Sequence, residues 1–375
     1  MVHVITKLDV GGAQETAVRC CTGLLRHGYD VTLVTGWHGG EAGPMASTAR
    51  AGGVEVVELP CLLRPIRPWS DLMALVSLVR LLRRLHPDVV HSHSSKAGVL
   101  GRVAARICGV PVVCHTVHGW SFRDEQPWPV RSAVVLLERL LARITTFTVV
   151  VTRADAELAA RYRIGRKEQL AVIRSGVALE AFRTADRKDA RRSLGVGDQP
   201  VVGAVQRLAA PKDARTLLEA VAKAQVEVPD LRLVVVGDGP DRESVEEDIS
   251  ALGLDGSVDL LGTRHDVAEL VAGFDVAVLS SRSEGLPRVV VEFLAAGLPV
   301  IASDVGGVSE VVQPGRTGWL VPPGDPAALA NAIVSALRSD DSARIARDGR
   351  EAVSSFDEEE MVGLLDDLYD RCVPG

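Results

Sequence analysis

Two carboxylates flank the predicted start of a helix in the segment DVAVLSSRSEGLPRVVVEFLAAGLP. A β-branched run ends before a polar loop that carries Glu284, and Pro287 stands where a helix is expected to begin. Glu292 follows eight residues after Glu284, inside that helix. Because the first turn of a helix has free N–H groups that attract anions, one phosphorylated ligand could contact both carboxylates and the helix N-terminus. The same spacing also occurs on ordinary surface loops, so the pair alone does not define a site.

Two cations precede this segment, just past another predicted strand. Arg207 and Lys212 follow a β-branched run, where two fixed positive charges can neutralise a diphosphate leaving group. The turn GDGP at 237–240 permits a close approach of the backbone to a ligand. Near the N-terminus, Gly11 and Gly12 open a helix whose backbone N–H groups can bind an anion, although they do not form the G-x-G-x-x-G of a dinucleotide fold.

Four histidines of the first half raise the question of a metal, namely His91, His93, His115 and His118. No acidic or thiol side chain has a suitable spacing with them, which disfavours zinc. His91 and His93 are interpreted as part of the rim of a sheet. The segment HTVHGW follows as a predicted strand end, where a histidine can face a ligand. The chain also has no Asp-x-Asp motif, so we predict no metal ligands at the site.

Short β-branched runs alternate with longer helical patterns along the chain, seven runs in the first half and six in the second. This alternation predicts βαβ units and parallel sheets. We therefore predict an α/β protein with two Rossmann-like domains, 1–180 and 181–375, that face each other across a deep cleft. A helix at about 356–372 should pack back on the first domain, and residues 174–200 are interpreted as a linker and hinge. Ligands are expected in the cleft, at the carboxyl ends of the strands.

Composition supports large cores, because 47% of the 375 residues are hydrophobic and 24% are charged. The six cysteines form no C-x-x-C pair, so reduced thiols are expected. No apolar run is long enough to span a bilayer, and the first residues do not resemble a signal peptide. These observations predict a cytoplasmic protein, peripheral on the inner face of the cell membrane if it binds lipid.

The charge of the chain is unevenly distributed. Residues 1–185 carry a net charge of +8 and residues 186–375 carry −15, which together give −7. The basic first half suggests an anionic partner such as a membrane surface or a phosphorylated acceptor, and the acidic second half argues against nucleic acid. The stretch Leu62–Leu85 combines apolar residues with Trp69 and five arginines, which is typical of a membrane interface. The alternative is an ordinary helix packed on the N-terminal sheet.

Taken in chain order, these residues resemble the signature of family 4 glycosyltransferases, the retaining enzymes of GT-B fold. The resemblance covers nearly the whole chain. The stretches HSHSSKAGVLGR, HTVHGWSF, IRSGV, SEGLPRVVVEFLAAGLPVIASDVGG and GRTGWLVPPGDP are most similar to those of bacterial enzymes that build exopolysaccharide, capsule or O-antigen units.

The resemblance implies a role for each of these residues. In such enzymes the residues matching Arg207 and Lys212 bind the nucleotide diphosphate. The residue matching Glu284 contacts the donor sugar, and the residue matching Glu292 holds the ribose hydroxyls. The histidine matching His118 lies beside the sugar and its transferring carbon.

The resemblance also implies a cradle of backbone amides around the diphosphate. The cradle is formed by Gly12 and by the segment of Gly285, Leu286 and Pro287, in which Pro287 has no N–H to donate. Two residues depart from the family pattern: Gln206 replaces the usual glycine before the arginine, and Asp213 replaces the frequent glycine after the lysine. The departures leave both cations in place and put the shape of the loop in question.

The function predicted in this way is retaining transfer of a sugar from a nucleotide-sugar, with UDP-sugar favoured, to a glycan or polyprenyl-phosphate-linked acceptor in cell-surface polysaccharide synthesis. No cofactor and no obligatory metal are expected. One alternative is a nucleotide-sugar 2-epimerase of the same fold, and another is a non-catalytic sugar-binding protein of two lobes. A nicotinamide dehydrogenase is disfavoured because the G-x-G-x-x-G motif is absent.

Overall fold

Two parallel β-sheets form the framework of the protein in the computed structural model, which describes residues 1–9, 11–37, 43–122 and 126–372. The strands of the first sheet are β1 Val2–Ile5, β2 Thr32–Gly36, β3 Glu55–Leu59, β4 Val89–His93, β5 Val112–Val117, β6 Phe147–Val150 and β7 Leu170–Val172. The strands of the second are β8 Val201–Val205, β9 Arg232–Val236, β10 Val258–Leu260, β11 Val276–Leu279, β12 Val300–Ser303 and β13 Gly318–Val321. Each predicted β-branched run corresponds to one of these strands.

Helices connect most successive strands, as expected for parallel sheets. The first six are α1 Gly12–Arg26, α2 Pro44–Ala51, α3 Pro68–Leu85, α4 Ser95–Cys108, α5 Trp128–Ala142 and α6 Arg153–Arg161. The next eight are α7 Leu179–Thr184, α8 Arg187–Ser193, α9 Ala214–Ala224, α10 Arg242–Ala251, α11 Val267–Val271, α12 Arg288–Ala296, α13 Pro326–Leu337 and α14 Ser342–Ala352. The chain then forms α15, Glu358–Asp370.

Each sheet has the strand order of a Rossmann-like fold. The orders are β3-β2-β1-β4-β5-β6-β7 and β10-β9-β8-β11-β12-β13. In each sheet the direction of winding reverses once, between β1 and β4 in the first and between β8 and β11 in the second. Open α/β sheets bind ligands at this switch point, outside the carboxyl ends of the strands. The fold class predicted from the sequence is therefore confirmed, and it directs attention to these two edges.

The chain divides into two compact units, Met1–Gly176 together with Glu358–Gly375, and Val177–Asp357. The boundary expected after residue 180 lies a few residues beyond this division. Helix α15 is the returning C-terminal helix and contributes buried Leu365 and Tyr369 to the core of the first unit. An ion pair between Arg19 and Glu358 joins it to α1.

The interpretation of residues 174–200 as a linker is wrong for most of its length. From Val177 onward the chain belongs to the second unit and forms α7 and α8. Leu179 and Phe182 of α7 are buried in the core of that unit. The Asp186 carboxylate accepts hydrogen bonds from the backbone N–H groups of Lys188 and Asp189, at 2.8 and 2.9 Å, and caps α8. The charged run is therefore a capped helix.

All six cysteines are free thiols, and Cys20, Cys21 and Cys114 are buried. This agrees with the expectation from their spacing. Within the described part of the chain, none of the helices combines the length and the apolar character that crossing a bilayer requires.

Candidate active site

The switch point of the second sheet places the predicted cations next to the predicted carboxylate loop. Val202 of β8 pairs with Val276 of β11, so both strands end at the same edge. Arg207 follows β8 and is exposed. Lys212 ends a short 3-10 turn after the same strand. The loop with Glu284 begins where β11 ends, and this edge therefore carries both signs of charge.

Lys212 and Glu284 contact each other directly. The Lys212 ammonium group forms an ion pair with Glu284 Oε1, and the Ser281 hydroxyl donates to the same oxygen at 2.6 Å. The two charged side chains retain 27% and 11% of their exposure, so both are accessible from solvent only in part. A carboxylate held by two donors is fixed in position, as a group that orients a substrate needs to be.

Backbone contacts connect the two loops that carry this ion pair. The Arg282 N–H donates to the Pro211 carbonyl at 2.9 Å. The Ser280 hydroxyl donates to the Lys212 carbonyl at 2.9 Å, and it lies 3.1 Å from the Asp213 carbonyl. The position of Lys212 therefore depends on the loop after β11 as well as on its own strand.

Asp213 adopts the backbone conformation for which glycine is usually selected. Its φ is 50° and its ψ is 55°, in the left-handed region. Aspartate tolerates this region better than most side chains, because its short polar group can hydrogen-bond locally. Here the carboxylate caps α9 by accepting from the Thr216 backbone N–H at 3.4 Å. It also accepts from the Thr216 hydroxyl at 2.7 Å and pairs with Arg282 Nε at 2.8 Å. The departure from glycine at this position therefore leaves the turn intact.

Gln206 is the second residue that departs from the family pattern, in which a glycine precedes the arginine, and nothing in the structure explains its side-chain amide. The residue is 6% exposed, and its side-chain amide has no hydrogen-bond partner among the described residues. The neighbouring glycine turn packs against this segment, since a Cβ on Gly237 would lie 2.0 Å from the Gln206 carbonyl oxygen. A Cβ on Gly239 would be equally close to the Leu208 carbonyl. Backbone packing therefore requires both glycines, and the close approach of a ligand to this turn stays a prediction.

Helix α12 begins at Arg288, with Pro287 at the N-cap, one residue before its predicted place. The preceding loop is held by two glycines, Gly306 and Gly307, which the residue spacing does not single out. Gly307 N–H donates to the Gly285 carbonyl at 2.8 Å. Gly306 has φ 55°, and a Cβ there would lie 2.0 Å from the Glu284 carbonyl oxygen. Only glycine therefore permits this close approach, which fixes the loop at the helix N-terminus.

The remaining predicted residues of this edge are partly accessible. Gly285 is exposed, whereas Leu286 is half-buried and Pro287 is buried. Glu292 is half-buried about one turn into α12. The second unit thus brings Lys212 and Glu284 into contact and places the other predicted donor-binding groups on the same loops and helix.

Gly12 and His118 belong to the first unit. Gly12 is the first residue of α1, directly after the loop that follows β1. His118 follows β5 and is half-buried. Its Nε2 lies 3.2 Å from Nδ1 of His93, the last residue of β4. Both predicted residues therefore lie at the carboxyl edge of their own sheet.

Three further histidines extend from this edge into the interior. His3 pairs with His91 across β1 and β4, so their side chains share a face, and His93 joins them two residues on. All three are fully buried. His91 Nε2 is hydrogen-bonded to the Thr116 hydroxyl at 2.7 Å, and His91 Nδ1 to the Tyr369 hydroxyl of α15. The prediction that both residues belong to the rim of the sheet is wrong for His91, which lies in the interior of β4, whereas His93 is the buried last residue of that strand.

The buried histidines are neutral in this environment. Burial lowers the pKa of His3, His91 and His93 well below the ordinary value, and the neighbouring histidines lower it further. His115 lies on the opposite face, where its Nδ1 is 3.0 Å from the Ser92 hydroxyl. Burial also lowers its pKa. His115 is therefore separated from the other three, which the segment HTVHGW did not indicate.

One group of side chains in the described ranges could hold a metal ion. Ring nitrogens of His3, His91 and His93 all lie within 4.8 Å of one another. Three neutral imidazoles can hold zinc, but both nitrogens of His91 already have protein partners. The sequence did not identify His3, because a single histidine in the first strand carries no motif.

Comparison with known families covers most of both units. Residues 186–352 match the sequence profile described as "Glycosyl transferases group 1". Residues 10–181 match the profile described as "Glycosyltransferase Family 4".

Two curated bacterial proteins are similar over most of their length. The UDP-Gal:alpha-D-GlcNAc-diphosphoundecaprenol alpha-1,3-galactosyltransferase of Escherichia coli is 32% identical over 341 residues, which cover 89% of this chain and 87% of that protein. The putative glycosyltransferase EpsD of Bacillus subtilis strain 168 is 29% identical over 325 residues, 84% of each chain.

Solved structures with the same fold cover the entire chain. The crystal structure of Anabaena HepE in complex with UDP superposes with a TM-score of 0.84 at 23% identity, over 99% of each chain. WaaG, a glycosyltransferase involved in lipopolysaccharide biosynthesis, superposes with a TM-score of 0.75 at 18% identity, over 100% of each chain. At these identities the likeness establishes the fold.

Proposed function

The chain belongs to the family 4 glycosyltransferases, and from that premise we propose that it is a retaining enzyme that transfers a sugar from a UDP-sugar to a polyprenyl-linked glycan in cell-surface polysaccharide synthesis. The observation that carries this proposal is the ion pair of Lys212 and Glu284 at the switch point of the second sheet. In this pair a cation that would bind the donor diphosphate lies beside a fixed carboxylate. The 32% identity to an enzyme named for a UDP-galactose donor and a diphosphoundecaprenol acceptor supports the substrate classes.

The donor diphosphate would be bound by the exposed Arg207, by Lys212 and by the N-terminus of α12. Breaking the bond between the sugar and the diphosphate leaves negative charge on the departing oxygen. Preorganised cations and helix N–H groups stabilise such charge without reorganisation during the reaction. Glu292 would hold the ribose hydroxyls, and Glu284 would accept a hydrogen bond from the donor sugar.

Retention follows if the acceptor hydroxyl attacks the face from which the diphosphate departs. The new bond joins the acceptor oxygen to the anomeric carbon, the bond to the diphosphate oxygen breaks, and that oxygen takes the acceptor proton. No protein nucleophile is needed in this scheme. We propose that two side-chain cations carry out the charge stabilisation that a metal provides in other transferases. Transfer should then continue after treatment with EDTA.

The first unit offers a surface suited to a lipid-linked acceptor. Ile66, Trp69 and Met73, at the start of α3 and just before it, are exposed. Trp128 and Leu136 are exposed on α5, and both helices contact α4. The rest of α3 packs on its sheet through buried residues such as Leu78, as the alternative of an ordinary packed helix predicts, and contact of its exposed start with a membrane is a proposal. Exposed apolar patches flanked by arginine are typical of membrane interfaces. We propose peripheral binding to an anionic membrane surface.

Liposome co-sedimentation tests this membrane proposal. Arg80, Arg83 and Arg84 are exposed on α3, and each cation near an anionic surface contributes about 1 kcal/mol. The protein should pellet with phosphatidylglycerol vesicles at low salt and be released as salt rises. Changing the three arginines to Ser should weaken binding. The matched control changes three surface arginines of the second unit to Ser, Arg215, Arg316 and Arg347. Equal pelleting with neutral and anionic vesicles, or none with either, would contradict the proposal.

A thermal-shift screen with UDP, GDP, ADP and dTDP sugars tests the donor class. A ligand that binds only the folded state raises its stability, by about 2.7 kcal/mol at a concentration a hundred times its Kd. UDP and one UDP-sugar should raise the midpoint of unfolding. A shift with GDP or ADP and none with UDP would overturn the donor assignment while leaving the transferase proposal open to the other base.

A further inference from the structure

Three imidazoles form a hydrogen-bonded chain in the first unit, from His3 through His93 to His118. His3 Nδ1 lies 3.1 Å from His93 Nε2, and His93 Nδ1 lies 3.2 Å from His118 Nε2. The rings of each pair are stacked, with centroids 5.3 and 5.5 Å apart. His3 and His93 are fully buried, whereas His118 is half-buried at the carboxyl edge of the sheet. The chain therefore connects the interior to the edge where ligands are expected.

The protonation of His93 makes its two hydrogen bonds, to His3 and to His118, run in the same donor-to-acceptor direction along the chain of imidazoles. Burial lowers its pKa well below the ordinary value, so its ring is neutral and carries one proton. A neutral imidazole donates through one nitrogen and accepts through the other. If His93 donates to His118, it must accept from His3, and if it accepts from His118, it must donate to His3.

The environment of His3 distinguishes the two directions. His3 Nε2 is buried and has no hydrogen-bond partner among the described residues. In the outward direction His3 donates through Nδ1, and Nε2 keeps only a lone pair. In the inward direction Nε2 carries a proton with no acceptor. Buried N–H groups without an acceptor are rarer in proteins than under-satisfied acceptors. The outward direction is therefore favoured, and His118 accepts at Nε2.

We propose that His3 and His93 are positioning residues that hold His118 in the tautomer with its proton on Nδ1. The ring then presents an N–H donor, and its Nε2 lone pair is occupied by His93. This inference rests on the proposed transferase function, in which the histidine at this position is expected beside the donor sugar, and it gives His118 the role of a hydrogen-bond donor. It also excludes His118 as the base, which agrees with transfer of the acceptor proton to the departing diphosphate oxygen.

His91 provides an internal comparison for this chain. It stacks on His93 with ring centroids 4.4 Å apart, yet its own nitrogens bond to Thr116 and Tyr369. It is therefore a neighbour of the hydrogen-bonded chain and not a member of it. Tyr369→Phe removes a hydroxyl from the same buried cluster and leaves both imidazole–imidazole bonds in place, which makes it the matched control.

The first test reads the tautomer directly. Protein labelled with ¹⁵N-histidine gives two-bond proton–nitrogen correlations that identify the protonated nitrogen of each ring, and the His118 signals are assigned by their loss in His118→Gln. The wild type and Tyr369→Phe should carry the His118 proton on Nδ1. His93→Leu should lose this preference. A wild-type proton on Nε2, or an unchanged His118 tautomer in folded His93→Leu, would overturn the proposal.

The second test separates positioning from packing by rescue. His93→Leu should lower kcat about tenfold to a hundredfold, since one preorganised donor contributes up to about 10²- to 10³-fold to turnover. The KM for the donor should stay within a few-fold of the wild type, because the side chains proposed to bind the diphosphate, Arg207 and Lys212, belong to the second unit. His93→Asn, whose amide can donate from the position of Nδ1, should recover most of the turnover. Equal loss in the Leu and Asn variants would indicate a structural role and contradict the proposal.

The two arms keep this inference separate from the proposed function. If the wild type transfers no sugar from any nucleotide donor, the proposed function fails. The tautomer measurement still tests whether the hydrogen bonds from His3 through His93 hold the proton of His118 on Nδ1. If His93→Leu does not fold, His3→Leu replaces it, since His93 then loses its donor and the His118 tautomer should become mixed. An Nδ1 proton that persists in folded His3→Leu would contradict the outward direction.

Discussion

Lys212 and Glu284, 72 residues apart in the chain, form an ion pair at the carboxyl edge of the second sheet. Their contact crosses the switch point between β8 and β11, where the topology alone predicts a ligand. A diphosphate that binds Lys212 must share this cation with the carboxylate or displace it. Donor binding is therefore expected to change the environment of Glu284, the group proposed to contact the sugar.

Lys212→Ala should weaken UDP binding by about tenfold to a hundredfold, because a hydrogen bond to a charged group contributes about 1.5–3 kcal/mol. Isothermal titration calorimetry measures the affinity. Lys223→Ala, which removes an exposed lysine from α9 of the same unit, is the matched control and should bind UDP normally. If the Lys212 variant binds UDP as tightly as the control, the diphosphate assignment is wrong.

Glu284→Gln should separate binding from turnover. The amide keeps the shape of the side chain and can still accept from Ser281, but it no longer competes for Lys212 or repels the diphosphate. UDP affinity should therefore be unchanged or higher, while kcat falls by about 10² or more because the carboxylate acts in the transition state. Steady-state kinetics and calorimetry measure the two effects, with exposed Glu351→Gln on α14 as the control. Near-normal turnover in Glu284→Gln would contradict the proposed contact between Glu284 and the donor sugar.

Glu292→Ala should raise the donor KM about tenfold with little change in kcat, because a contact to the ribose is shared by the ground state and the transition state. Binding of UDP is then compared with binding of its 2′- and 3′-deoxyribose analogues, which tests whether Glu292 contacts a ribose hydroxyl. The wild type should prefer UDP over at least one analogue, and the variant should bind all three equally. A discrimination that survives in the variant argues that another group holds the ribose.

Acid should destabilise the first unit through its neutral buried histidines. Burial lowers the folded-state pKa of His3, His91, His93 and His115 well below the ordinary value. Below about pH 6.5 the unfolded chain binds more protons than the folded one, and each such histidine removes up to about 1.4 kcal/mol of stability per pH unit. His3→Leu should make the dependence of the unfolding midpoint on pH shallower than in the wild type, as measured by thermal unfolding at a series of pH values. A curve for the variant that runs parallel to the wild-type curve would contradict a neutral, buried His3.

Periodicity and strand-end chemistry were sufficient to predict much of this protein. β8, Val201–Val205, coincides with its predicted β-branched run, and the cations after it lie at the edge where parallel strands end together. A charged run such as that within residues 174–200 resembles a linker when its buried positions are few. In the structure Leu179 makes a core contact and Asp186 caps a helix, and neither role leaves a clear pattern in the sequence.

Other features depend on tertiary contacts that leave no local pattern. His3 joins His93 only because β1 and β4 are neighbours in the sheet, which strand order determines and sequence spacing does not. Gly306 is required by the carbonyl of Glu284, a contact between two separate loops. The side-chain amide of Gln206 is buried without a hydrogen-bond partner in the described part of the chain, which could not be predicted because burial of a strand-end side chain depends on how the following turn packs.

Transfer of a labelled sugar to a lipid-linked acceptor tests the central claim most directly. The UDP-sugar selected by thermal shift is incubated with diphosphoundecaprenol-linked GlcNAc, and the lipid product is isolated and its anomeric configuration read by NMR. The predicted result is a labelled lipid with the anomeric configuration of the donor, formed in the presence of EDTA and lost in Lys212→Ala and Glu284→Gln. Release of free sugar, epimerisation of the donor without transfer, or a product of inverted configuration would contradict it.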